Sequence, residues 1–147
     1  MADAQRTADA VWEGSLAKGG GVVTFTSSGA AGPLPVTWAS RTERSEGKTI
    51  PEELVAAAHA SCYCMALSHV LGEAGTPPEK LEAGATVTFA QVEGGWKVAS
   101  SALTVKGTVP GIDEVAFRAA AEEAKDGCPI SGALKGNVEL SVEATLG

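Results

Sequence analysis

Pro-Glu-Glu-Leu-Val-Ala-Ala-Ala-His-Ala-Ser-Cys-Tyr-Cys-Met-Ala-Leu-Ser, residues 51–68, is the stretch whose reading decides the fold. From Leu54 to Leu71 the chain carries no Asp, Glu, Lys or Arg, a length near the minimum for crossing a bilayer. Alanine supplies much of its bulk, and His59, Ser61, Ser68 and His69 interrupt it. With no second span and no basic flank, the pattern predicts a helix buried in the centre of a soluble fold, and no membrane partner. Thr49 and Glu52 fit a capping box, and Pro51 suits a first turn. Gly75 suits a left-handed terminator, and Pro77 with Pro78 forbids continuation. The predicted helix runs from near Thr49 to about Ala74.

Working outward, residues 8–14, 20–27 and 34–38 read as strands, with Gly19, Gly20 and Gly21 at the first turn. Residues 39–50 read as a charged connection holding Arg41, Glu43, Arg44, Glu46 and Lys48. Beyond the helix, residues 81–93 and 96–108 form a strand pair around Gly94 and Gly95. Asp113 can cap a second helix with Val115, Phe117, Ala120 and Ala124 on one face, ended by Gly127. Cys128-Pro129 opens a short helical piece to about Leu134, and 137–145 alternates as a last strand. There are no repeats and no linkers, so the chain reads as a single α+β domain over residues 1–147.

A chain of 147 residues can bury a real core. Its formal net charge of −7 argues against a nucleic-acid partner. The start, Met-Ala-Asp-Ala-Gln-Arg-Thr-Ala, has no apolar run, which predicts a cytoplasmic chain. Three cysteines in such a chain point to catalytic, redox or inert thiols rather than a disulfide framework.

The thiols differ in setting. Cys62 is some twelve residues into its helix, where the N-terminal dipole has faded and burial raises a thiol pKa. A reactive Cys62 therefore needs a cation from elsewhere; Arg41 and Arg44 are nearest in sequence, and Lys18 is a weaker candidate. Cys128, just before Pro129, is the expected N-cap of the short helix, where free N–H groups favour a thiolate. It suits a resolving thiol, or equally a small residue filling a corner. Cys64 lies about 200° round the helix from Cys62 and cannot bridge to it. His59 and His69 share roughly one face with Cys62, so a Cys–His nucleophile is conceivable beside two satisfied core histidines. No ligand-pair spacing recommends a zinc site.

Residues 51–68, then Val-Pro-Gly-Ile-Asp (109–113), Gly-Cys-Pro-Ile-Ser (127–131) and Val-Trp-Glu-Gly (11–14) together resemble the OsmC/Ohr family, the osmotically inducible protein C and organic hydroperoxide resistance proteins. The Trp-Glu-Gly start and the His-Ala-Ser-Cys segment favour the OsmC branch. The resemblance implies an antiparallel sheet wrapped around a long central cysteine-bearing helix, in an intertwined homodimer with shared active sites. It implies a thiol peroxidase for organic hydroperoxides, with Cys62 peroxidatic, Cys128 resolving, Glu52 the active-site glutamate and Arg41 the arginine, Arg44 competing with it. It also implies a disulfide intermediate, an external dithiol reductant, and no bound cofactor or metal. Two other readings compete: a cysteine hydrolase using Cys62 with His59 or His69, and a non-catalytic binder of small apolar molecules.

Overall fold

The computed structural model describes residues 3–43 and 45–147, so Arg44 lies outside the described residues. The chain divides between Pro51 and Glu52 into two compact units.

The first unit is a meander of β1 (Asp9–Glu13), β2 (Gly20–Thr24) and β3 (Leu34–Val36), antiparallel in that order, followed by the short helix α1 (Trp38–Thr42). Helix α1 occupies the start of what reads in sequence as a connection. Five residues are too few to show a helical period, and a cap sustains the turn instead. The Ser40 N–H donates to Thr37 Oγ1 and the Thr37 N–H to Ser40 Oγ, each at 3.0 Å. This is a reciprocal capping box with serine where Glu or Gln is usual. Every residue of β1 is exposed, Val11 and Trp12 included.

The second unit opens on α2 (Pro51–Glu73), close to the predicted bounds. His59, Tyr63, Leu67 and Leu71, each one turn after the last, form a single buried stripe, with Glu52 buried nearer the helix start. The opposite face is open, and Met65 is 73 % exposed. The expected burial on all sides is thus replaced, in one copy of the chain, by burial on one side. By length and composition α2 could cross a membrane, but its buried stripe carries the polar groups of His59 and Tyr63, both hydrogen-bonded within the unit. At its end Gly75 takes a φ of +81°, and the Thr76 N–H donates to Leu71 O at 2.9 Å.

Strands β4 (Lys80–Val92) and β5 (Gly95–Thr108) form a long antiparallel hairpin with a bulge between Thr88 and Phe89. Ser101, Leu103 and Val105 on β5 alternate inward. Helix α3 (Glu114–Gly127) is capped by Asp113, which accepts from the Ala116 N–H at 2.8 Å. It buries Phe117, Ala120, Ala121 and Ala124. Val115, expected on that face, is instead 79 % exposed, because two residues from Phe117 is about 200° of rotation. A short helix, α4 (Pro129–Leu134), follows, and β6 (Glu139–Leu146) completes the sheet in the order β4-β5-β6.

One strand pair corrects the all-antiparallel expectation. β6 runs parallel to β5, from Ser100 opposite Glu139 to Gly107 opposite Leu146. The crossover through α3 and α4 returns the chain to the end of the sheet from which β5 began, and such a connection produces parallel neighbours. The core joins the α2 stripe, the inward residues of β5, the buried face of α3 and Cys128. The fold is α+β, with two small sheets and one long helix.

Candidate active site

Two elements distant in sequence bring the thiols together. Cys62 flanks the buried stripe of α2 and is half-buried. Cys128 ends α3 and begins α4: its N–H donates to Ala124 O at 2.9 Å, and Pro129 stands at the first position of the next helix. This junction leaves Cys128 only 1 % exposed. The two thiols are near enough for each to shift the other's ionisation, and all three cysteines are free. Cys64 is half-buried on another face of α2.

The electrostatics follow the sequence reading. Burial pushes the Cys62 thiol up; the Ile130 N–H opposes this and the neighbouring Cys128 adds to it. Burial also pulls Cys128 upward, but the Ser131 N–H, the Cys62 thiol, the Ser131 hydroxyl and the Ile130 N–H outweigh it, and the net shift is downward. The sulfur closes no side-chain capping hydrogen bond of regular geometry; the N–H groups at the start of α4 act on it by proximity and direction. The more acidic thiol is therefore the more deeply buried one.

His59 does not serve as a base for Cys62. Its ring is fully buried, with Nδ1 2.6 Å from Ser101 Oγ on β5 and Nε2 2.8 Å from Ser131 Oγ on α4. Both nitrogens are thus committed to hydroxyls. His69 is exposed. Glu52, 2 % exposed, stands ten residues before Cys62, about 15 Å along the same helix. Arg41 is half-buried in the last turn of α1, in the other compact unit. Sequence reasoning missed Ser101 and Ser131. The second was visible in Cys-Pro-Ile-Ser, three residues from Cys128 as a helical neighbour would be. Among the described residues no group of three or more His, Cys, Asp or Glu could hold a metal ion.

Burial lowers the His59 pKa, so the folded protein favours the neutral ring. Below about pH 6.5 the unfolded chain takes up a proton at this position that the folded chain does not. Stability from this source is present above that pH and is lost as pH falls toward the folded pKa, with a slope of at most about 1.4 kcal/mol per pH unit. Urea midpoints of wild type and His59→Gln are expected to converge between pH 7 and pH 5. An unchanged gap would show that His59 does not titrate differently on folding.

The site is thus a long one-sided helix that places one free thiol near a second at a helix junction, inside an α+β unit. The chain belongs to the OsmC family: the family model described as OsmC-like protein matches residues 44–143. It is 41 % identical over 132 residues to peroxiredoxin OsmC of Escherichia coli (strain K12), covering 90 % of this chain and 91 % of that one. It is 27 % identical over 95 residues to an organic hydroperoxide resistance protein of Xanthomonas axonopodis pv. citri, covering 64 % and 65 %. The crystal structure of the organic hydroperoxide resistance protein OhrB of Bacillus subtilis superposes with a TM-score of 0.72 at 26 % identity, over 95 % of this chain and 98 % of that one.

Proposed function

We propose that this chain is a hydroperoxide reductase, acting on organic hydroperoxides and less efficiently on hydrogen peroxide, and protecting its cell against oxidative and osmotic stress. Membership of the family makes it a peroxidase of the peroxide-detoxifying kind. The observation that carries the finer reading is the placing of two free thiols, Cys62 on α2 and Cys128 at the α3–α4 junction, near enough to shift each other's ionisation.

In the proposed cycle the Cys62 thiolate attacks the distal peroxide oxygen. The O–O bond breaks, the departing alkoxide or hydroxide takes up the proton that the Cys62 thiol gave up and leaves as an alcohol or water, and Cys62 becomes a sulfenic acid. Cys128 attacks that sulfur, the S–O bond breaks, and water leaves as the Cys62–Cys128 disulfide forms. An external dithiol reduces the disulfide. Arg41 supplies the positive charge that α2 cannot give Cys62, and Glu52 orients Arg41. No bound cofactor or metal is required, and the reaction takes place in the cytoplasm. Cys128→Ser is expected to stop the cycle at the sulfenic acid. Trapping with dimedone and mass spectrometry should find the adduct on Cys62. A disulfide formed in that variant at the wild-type rate would remove Cys128 from the mechanism.

The active form is a homodimer with sites shared between copies. The exposed face of α2 and the exposed β1 strand support this, since a second chain would cover both. So does the 15 Å separating Glu52 from Cys62 along one helix, which a neighbouring antiparallel helix would close. Co-refolding Cys62→Ser with Glu52→Gln tests the sharing. Random pairing of two inactive variants should restore about a quarter of wild-type turnover, because half the dimers then hold one intact site. No restoration would assign both residues to the same chain's site.

A further inference from the structure

His59 remains unused by that cycle, yet it is fully buried and both of its ring nitrogens are engaged. It joins three elements: α2 through its own backbone, β5 through Ser101 and α4 through Ser131. Ser131 stands in the first turn of α4, three residues after its N-cap Cys128, and its hydroxyl acts on the Cys128 sulfur electrostatically. Ser101, His59 and Ser131 form one hydrogen-bonded line that ends in the first turn of α4, the helix that Cys128 caps.

A neutral imidazole donates from one nitrogen and accepts at the other, while a hydroxyl can do either. With both ends of the ring on hydroxyls, two arrangements satisfy every group. In the first, Nε2–H donates to Ser131 Oγ and Nδ1 accepts from the Ser101 O–H. The Ser131 O–H is then free to donate to a Cys128 thiolate. In the second, Nδ1–H donates to Ser101 Oγ, Nε2 accepts from the Ser131 O–H, and only a lone pair of Ser131 faces the sulfur. That arrangement matches a Cys128 thiol, whose S–H can donate. The choice of ring nitrogen thus reports, and biases, the protonation state of a sulfur the ring does not touch.

We infer that His59 is a positioning residue for Cys128, and that its tautomer sets through Ser131 whether a donor or an acceptor meets the resolving sulfur. The inference rests on the peroxidase reading for its consequence, the rate of disulfide closure. In that step the Cys128 sulfur forms an S–S bond to Cys62 and the S–O bond of the sulfenic acid breaks. The departing hydroxide takes up the proton that the Cys128 thiol gave up, and one water is released. The Nε2–H arrangement supplies a hydrogen bond to the thiolate just before attack. The lowered pKa of His59 is consistent with a neutral ring throughout. Cys62 and Tyr63, both on α2, also interact electrostatically with Cys128, whereas His59 is hydrogen-bonded to Ser131.

The test uses the full chain. Thiolate absorbance at 240 nm is followed against pH in a Cys62→Ser, Cys64→Ser background, where only Cys128 titrates as a thiol. Adding His59→Leu or Ser131→Ala should raise the midpoint. In chains with all cysteines present, either change should slow disulfide closure after oxidation by cumene hydroperoxide about tenfold, the scale of one hydrogen bond to a charged group. Oxidation of Cys62 should stay within about twofold. The double variant should be no slower than either single one, because both break the same line. His59→Gln, which keeps an N–H donor, should recover most of the closure rate.

Ring ¹⁵N shifts of wild type keep the inference falsifiable if His59→Leu does not fold. They should report the Nε2–H tautomer at a pH where Cys128 is a thiolate, and Nδ1–H where it is a thiol. A tautomer indifferent to Cys128, a midpoint unmoved by Ser131→Ala, or additive losses would overturn it. Absence of Cys62 oxidation by any hydroperoxide, with the tautomer still following Cys128, would sink the peroxidase reading and leave the His59 relation standing.

Discussion

Cys62→Ser is expected to abolish peroxide turnover, down to the rate of the external dithiol alone. The expectation is not trivial, because the neighbouring Cys128 is the more acidic thiol. A thiol at its ordinary pKa is only about 3 % ionised at pH 7. Full ionisation of such a thiol therefore gains at most about 2 kcal/mol of reactivity, while access to the peroxide can decide everything. Cys128 is 1 % exposed and Cys62 is half-buried. A peroxide is therefore expected to reach Cys62 first, and Cys128 to meet a sulfur that is already oxidised. The measurement is loss of cumene hydroperoxide under excess dithiol, backed by one stoichiometric exposure without dithiol. A Cys62→Ser protein that still consumed one peroxide per chain would exchange the roles, making Cys128 the attacking sulfur.

Phe117→Ala is expected to cost about 3–5 kcal/mol of folding stability, a large share of the 5–15 kcal/mol typical of a domain. Phe117 is fully buried between α3 and β5, and its ring lies against the backbone of Gly107. A Cβ added at Gly107 would stand 2.5 Å from the ring carbon Cζ. The glycine therefore admits the ring, and removing the ring leaves a hollow in the packed core. Urea unfolding of the single variant measures the loss. Gly107→Ala should be destabilising alone but mild or favourable when added to Phe117→Ala, since its methyl then enters the vacated space. Additive losses would mean the ring is not what Gly107 accommodates.

Much of this architecture was readable from the sequence. The long helix, the β4–β5 hairpin, the Asp113 cap and the Cys128-Pro129 helix start all rest on local rules, and they stand where those rules put them. What escaped was either too short or too long in range. Helix α1 has five residues and a serine-based cap, so no period betrays it. The parallel pairing of β6 depends on where a crossover lands, which alternation along β6 cannot encode. The open face of α2 was hidden by its uniform apolarity, which looks the same on every side. Within the site, spacing showed that Cys128 caps a helix but not that the cap meets Cys62. His59 was weighed as a partner for Cys62 because both share a helix face, whereas its contacts run to a strand and a serine remote in sequence.

The parallel β5–β6 pair bears on the birth of the enzyme. During synthesis the Cys62 helix and the β4–β5 hairpin leave the ribosome well before the last strand. Cys128 rides on the crossover that this strand secures, and contacts so distant along the chain form late. The β5–β6 pairing that closes this crossover is expected to favour the meeting of the two sulfurs. A chain lacking β6 would still carry all three cysteines, yet is expected to hold Cys128 less firmly beside Cys62, so the pair depends on a strand that contributes no sulfur to it.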